Sequence, residues 1–292
     1  MRRRALLSYV AAVTVLVTAT VSLADFRHPR MGARPRALGS AFVSLSDDAN
    51  AMHWNPAGLT RDDRLAAMIT RAWMYSVPEL RNDYLTLDFP AWRGVHLGTS
   101  FVRQGIDDLY YEDTYDLALA FGVPFVEGLS LGATGKVYRL AAPGYEQYND
   151  PAYNGGDTGY ACDLGFLYDS GRAWTVGGAV YNLNEPYLQL LDTTTAPDPV
   201  YDQFALGGSY LFRDTLLIAC DLRSREGGWG NSALHGGAEI WFFDALALRS
   251  GLNAGNVTMG IGLQDVHWQA DIALETHKEL GNVYMLSFTV RD

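Results

Sequence analysis

The side chains best placed to do chemistry in this chain are polar groups in its first quarter. Asp47-Asp48 is followed by His53-Trp54-Asn55-Pro56-Ala57-Gly58. Pro56 pushes Asn55 out of helical geometry, and Gly58 permits a turn. Ser46 or Asp47 could cap a short helix that runs into this stop. Such groups can bond to a wall and hold a gate, or simply cap a helix and set a turn. A second set, Lys136, Asp163, Asp221, Arg223, Glu239, Arg249 and Asp271, falls at alternate positions of strand-like segments. Its mixed signs point to internal salt bridges more than to an ion path.

No catalytic residue emerges. There is no G-x-S-x-G, no H-E-x-x-H and no P-loop. The six histidines are scattered. His235 beside Glu239 or Asp271 could form an acid/base pair, but a hydrogen-bonded structural histidine fits as well. No Cys/His metal spacing and no cofactor motif is present. The acidic loops 104–113 and 192–202 offer oxygen ligands of the kind calcium takes, without EF-hand spacing. Their tyrosines could instead meet a protein or a ligand.

The elements that must position these residues are strands. From residue 65 onward, fourteen segments alternate apolar and polar side chains. They lie near 65–75, 83–90, 94–103, 114–123, 128–139, 159–169, 173–183, 202–212, 215–223, 232–242, 245–253, 256–264, 266–276 and 282–291. In the segment at 266–276, Val266, Trp268, Ala270, Ile272 and Leu274 share one face. Gln269, Asp271 and Glu275 share the other. Period two with one apolar face means that one face meets something greasy. The opposite face is small or charged and rich in glycine, which leaves room for a lumen or a plug. Short connectors (90–93, 169–172, 213–214, 244, 264–265) alternate with long ones (104–113, 140–158, 184–201). Short turns at one end and long loops at the other are the habit of outer-membrane barrels.

The N-terminus fits that reading. Met1-Arg2-Arg3-Arg4 precedes an uncharged apolar run that ends at Ser22-Leu23-Ala24, the pattern of a cleaved secretory signal over residues 1–24. Net charge is −11, and loss of the three leader arginines makes it more negative. That excludes nucleic acid as a partner. Thirty glycines, 17 tyrosines and 7 tryptophans suit tight turns and aromatic girdles. Cys162 and Cys220 sit in apolar strand faces, where a disulfide is chemically possible but its pairing is not legible.

Two stretches carry a family resemblance: Ala37-Leu38-Gly39-Ser40-Ala41-Phe42-Val43 through Asp47-Asp48, and Trp54-Asn55-Pro56-Ala57-Gly58-Leu59. Together they resemble the PorV/PorQ family of the FadL-like superfamily. The Asn-Pro-Ala triplet is the part shared with the FadL side. The resemblance implies an all-β transmembrane barrel of about fourteen strands, residues 65–292, with residues 25–64 as a hatch inside it. It also implies residence in the bacterial outer membrane, in contact with outer-membrane lipid. One implied role is an accessory for protein export or surface attachment, with secreted cargo or a secretion translocon as partner. The alternative is FadL-like, hatch-gated passive transport of hydrophobic small molecules. The chain departs from the pattern at its end, where Phe288 lies inside the last strand and Asp292 closes the sequence.

Overall fold

The structure, a computed structural model, describes residues 31–75, 77, 79–153, 155–192, 198–224, 228–277 and 280–292. The expected leader, residues 25–30 and part of the loop 192–202 lie outside the described residues.

Alternation dictates the architecture. The strands are β1 (Ala66–Met74), β2 (Arg81–Trp92), β3 (Val95–Ile106), β4 (Tyr110–Gly122), β5 (Leu129–Ala141), β6 (Asp157–Asp169) and β7 (Trp174–Tyr181). After a small hairpin of β8 (Tyr187–Leu188) and β9 (Asp198–Pro199) come β10 (Gln203–Phe212), β11 (Leu216–Ser224) and β12 (Ser232–Phe242). The series ends with β13 (Leu246–Asn253), β14 (Asn256–Gln264), β15 (Trp268–Glu275) and β16 (Val283–Arg291). All but β8 and β9 form one closed antiparallel barrel of fourteen strands, each beside its sequence neighbour. β1 and β16 close it, with Ala66 opposite Arg291 and Met74 opposite Val283. Closure leaves no unpaired edge.

Every strand expected from the sequence is present, displaced by a few residues at most. One expected long loop is not. Residues 104–106 and 110–113 belong to β3 and β4, which pair down to Ile106 opposite Tyr110. Only Asp107-Asp108-Leu109 turns, and Asp108 takes the left-handed conformation the tight turn needs (φ 65°). The polarity of this stretch belongs to strand ends at the barrel rim. The true long connections, 142–156 and 182–202, lie at the end opposite the chain termini, and the expected short turns lie at the same end as the termini.

The wall is incompletely zipped at one seam. β6 pairs with β7 only from Leu164 to Asp169. Beyond that, the loop after β7 substitutes for a strand. Leu183 donates its N–H to Cys162 O (2.9 Å). Asn184 donates through Nδ2 to Tyr160 O (2.6 Å) and accepts from Cys162 N–H (3.2 Å).

The outer wall is apolar around its circumference. Ile69, Leu117, Leu164, Ile218, Leu248, Ile261, Ile272 and Leu286 are all exposed on it. That is a continuous apolar band far beyond what a water-soluble monomer shows. Cys162 and Cys220 point outward in this band as free thiols, so no disulfide joins them. The expected faces of β15 hold: Trp268 and Ile272 are exposed, while Gln269, Asp271 and Glu275 are buried in the interior.

The interior is filled by residues 31–60. They form helix α1 (Ala33–Ala37), a turn, helix α2 (Ala51–Trp54) and a 3-10 turn over Pro56–Arg61. The helix cap differs from expectation. Neither Ser46 nor Asp47 caps α2. Asp48 Oδ1 accepts the Asn50 N–H (2.8 Å), and Asp48 O accepts that of Ala51 (2.8 Å). Ser46 turns back to donate to Phe42 O (2.9 Å), and Asp47 is drawn to Arg34.

Candidate functional site: a latched plug in the barrel lumen

The plug is seated on glycines of the inner wall. A side chain at Gly132 (β5) would strike the Pro56 and Ala57 backbone, and one at Gly165 (β6) would strike Asn55 and Pro56. Gly237 and Gly251 lie under Leu38 and Gly39 in the same way. The glycine-rich inner face expected from the sequence is therefore the imprint of the plug backbone. This close approach forbids a Cβ.

Asn55 is the central fastener of the Asn-Pro-Ala turn. It is extended (φ −161°, ψ 105°), the geometry a residue before proline favours. Its side chain accepts the Ala57 N–H (3.2 Å) and donates to Val43 O (2.9 Å) and to Phe166 O on β6 (2.8 Å). One amide thus ties the turn to the plug and the plug to the wall. Trp54 beside it donates Nε1–H to Met31 O (2.9 Å), and Tyr181 donates its hydroxyl to Trp54 O. Gly58 packs its backbone against Ser46, where no Cβ fits.

The seven inward charges separate into three groups. Asp221 (β11) accepts the N–H groups of Phe42 (2.6 Å) and Val43 (2.8 Å). Its neighbour Arg223 donates to Ser40 O (3.4 Å) and places its guanidinium 4.7 Å from the Trp54 ring centre. These two hold plug backbone. Lys136 and Asp163 pair across the lumen wall at 2.6 Å, with Tyr181 beside the ammonium. Glu239, Arg249 and Asp271 form the third group. Arg249 reaches Glu239 Oε2 through Nε (2.5 Å) and Asp271 Oδ1 through Nη1 (2.6 Å). Gln269 donates to the other Asp271 oxygen (2.8 Å).

Arg34 completes this last group, and it was not singled out from the sequence. Its Nε and Nη2 grip both Glu239 oxygens at 2.9 and 3.0 Å. Its Nη1 reaches Asp47 Oδ1 (2.6 Å) and Asp48 Oδ2 (3.1 Å). A continuous ionic chain therefore runs from plug to wall: Asp47 and Asp48, Arg34, Glu239, Arg249, Asp271. Burial raises the Asp47 pKa, but the Arg34 charge outweighs it and holds the carboxyl below its ordinary value of 3.8. Burial pushes Asp48 up. Arg34 and Arg36, two cations inside a small-residue segment upstream of two aspartates, were the signal available for it.

His235 does not pair with Glu239 or Asp271. Its Nδ1 meets Gly39 O of the plug (3.1 Å), while the two arginines take up Glu239. It is a fastener, as are Thr258, which bonds both Gly39 N–H (3.0 Å) and Ala37 O (2.9 Å), and Glu275, which holds Arg36 at 2.5 Å.

Beside the ionic latch, the inner wall of β1 and β16 is largely apolar. Ala66 and Met68 line one end of β1, and Ala72 and Met74 the other with Val283 and Met285 of β16 alongside; the hydrogen-bonded pair Thr70 and Ser287 (2.6 Å) lies between. Plug residues Met31, Ala33, Ala37 and Ala49 lean on this strip. At the terminal end of the barrel, below the latch, lies a polar cavity of about 340 Å³ lined among others by Arg34, Asp47, Arg61, Asp169, Glu239 and Trp241.

No family model matches the chain, and no curated protein matches it. The PorV/PorQ resemblance therefore gains no support from either comparison. Solved structures do match. The CymD monoaromatic hydrocarbon channel aligns with a TM-score of 0.63 at 15% identity, over 92% of this chain and 99% of the channel. A Pseudomonas aeruginosa FadL homologue aligns at 0.60 and 14%, over 89% and 98%. The toluene transporter TodX of P. putida aligns at 0.58 and 12%, over 91% and 97%. The chain has the fold of the FadL-like fourteen-stranded barrels.

Proposed function

We propose that the protein is an outer-membrane channel for passive passage of hydrophobic small molecules, with residues 25–64 as its hatch and residues 1–24 as a cleaved export signal. The observation that carries this reading is the division of the lumen. Charged and hydrogen-bonding groups fasten one side of the plug. The adjoining sector of β1 and β16 meets the plug mainly through methionine and alanine side chains, with Ser287 as its one polar hold among the described residues, through the Ala33 N–H. Methionine is unbranched and polarizable, so such a strip accommodates apolar molecules of varied shape. A plug held by polar bonds can shift off it and open a track lined mostly by apolar side chains, with Thr70 and Ser287 midway. The similar structures include a monoaromatic hydrocarbon channel and a toluene transporter, which favours hydrocarbons as the passenger class. Asp47, Asp48, Trp54, Asn55, Pro56, Ala57 and Gly58 serve as the hatch hinge and latch. Lys136, Asp163, Asp221, Arg223, Glu239, Arg249 and Asp271 anchor it. No observation favours a role in protein export or surface attachment.

The test is uptake of a labelled monoaromatic hydrocarbon by a host that lacks channels of its own for it. The wild-type chain should raise the uptake rate several-fold. Met68→Arg places a cation in the strip and should return uptake to background at equal barrel abundance. Uptake unchanged by the wild-type chain would refute the reading.

A further inference from the structure

The outward face of the barrel carries charge in one sector only. On β6, β7 and β10 to β16, no outward-facing strand position among the described residues holds a charged side chain. On β1 to β5 a row of charges crosses five adjacent strands, with Arg81 of β2, paired to Asp107 of the turn after β3, just beyond it. Arg71 lies opposite Asp83, Asp83 opposite Arg103, Arg103 opposite Asp113, and Asp113 opposite Arg139. The row sits near the strand ends away from the chain termini. Since both termini of an even-stranded barrel lie at the periplasmic end, that is the level of the outer head groups. A charge at the bilayer midplane is costly, and near the interface the cost falls almost to nothing. The placement therefore suits head groups and not acyl chains.

The row has one cation too many. Arg71 grips Asp83 with two bonds, at 2.6 and 2.9 Å. Arg103 grips the buried Asp113 with two more, at 2.7 and 2.8 Å. Both carboxylates are then fully used. Arg139 is exposed and makes no ion pair among the described residues. Arg103 stacks 4.4 Å from the Tyr111 ring centre, and the exposed Tyr115 and Trp73 flank the row. Aromatic side chains of this kind sit at head-group depth.

We propose that this row is a docking surface for the phosphorylated head group of an outer-leaflet glycolipid, with Arg139 as its free anchor and Arg71 and Arg103 as half-exposed supports. Guanidinium groups match phosphate oxygens with paired, charge-assisted hydrogen bonds. The alternation Arg, Asp, Arg, Asp, Arg spaces the cations two strands apart, about 10 Å, so that each can meet a separate anionic group. A second copy of the chain fits less well. A two-fold axis centred on the row sets Arg71 against Arg139 and Arg103 against Arg103, like charge on like.

The proposal rests on the outer-membrane reading, and the test separates the two. The full barrel is reconstituted in phosphatidylcholine nanodiscs. Retention of bisphosphorylated lipid A and of its dephosphorylated form is then compared by native mass spectrometry. Wild type should prefer the phosphorylated lipid by about tenfold, Arg139→Gln should remove most of that preference, and Arg213→Gln at the opposite rim should leave it intact. Equal retention of both lipids, an Arg139→Gln variant that matches wild type, or a row occupied by a second barrel would overturn the proposal while leaving the barrel reading standing. Failure of the protein to insert would remove both.

Discussion

Arg34 of the plug and Glu239 of β12 form a two-bond ion pair, at 2.9 and 3.0 Å, that joins hatch to wall. Among the described residues, Arg34 is the one cation paired with Asp47, Asp48 and Glu239 together. Removing it leaves Asp47, Asp48 and Glu239 facing one another, with Arg249 still on Glu239. Breaking such a pair from one side costs about 3–5 kcal/mol. Arg34→Ala should therefore free the plug while the barrel persists. A cysteine placed at Ala49, which is buried, reports this: its labelling by a thiol reagent should rise by orders of magnitude. Unchanged labelling would mean that Arg34 does not hold the hatch.

The latch should also respond to acid in a defined order. Asp48, whose pKa burial pushes up, takes its proton first as pH falls from neutral. Because protonation relieves a buried charge, that step does not loosen the plug. Asp47 lies below 3.8 in the folded protein, so its contribution is fully present above that value and is lost as pH falls further. Labelling at position 49 should stay low from pH 7 down to about pH 4 and rise below it. A rise between pH 6 and 5 would contradict this assignment.

The glycine seats predict that added volume, not lost contact, will unseat the hatch. Gly132→Ala puts a Cβ into the Pro56 and Ala57 backbone. Overpacking of this kind costs about 1–3 kcal/mol. The same change at Gly94, where a Cβ meets nothing, should leave plug protection intact even though its backbone is left-handed (φ 80°). Hydrogen exchange of the residue 55–59 amides distinguishes the two.

The faces of β15 are separable by one substitution each. Ile272→Arg puts a cation on the apolar outer wall and should cost about 2–4 kcal/mol if it lies near the midplane. Gln269→Arg points inward toward the Asp271 carboxylate, 2.8 Å from the present amide, and should cost much less. Denaturant unfolding in bilayers gives the order, and the reverse order would mean a shifted register.

The barrel was legible because period two is a local signal, and each strand repeats it independently. In β14, Val257, Met259, Ile261 and Leu263 oppose Thr258, Gly260, Gly262 and Gln264, and this pattern alone assigns both faces. The inward charges were legible for the same reason. Their partners were not. Arg34 and Glu239 are 205 residues apart, and only closure of the barrel brings them together. Residues 104–106 and 110–113 looked like part of a long loop because polar rim residues end strands as often as they fill loops. The capping of α2 was misplaced because Ser46 and Asp47 had better partners in Phe42 O and Arg34. The charged row on β1 to β5 is a product of register, which no single segment displays.

The central claim is that the plug gates an apolar path, and locking the plug tests it. The Ala33 N–H donates to Ser287 Oγ of β16 at 2.8 Å, so cysteines at these two positions lie within bonding reach. With Cys162 and Cys220 changed to serine, Ala33→Cys with Ser287→Cys should take up a labelled monoaromatic hydrocarbon when reduced and stop when oxidised. Reducing agent should restore the rate. Equal uptake in both redox states would show that molecules pass without movement of this plug, and the account would fail.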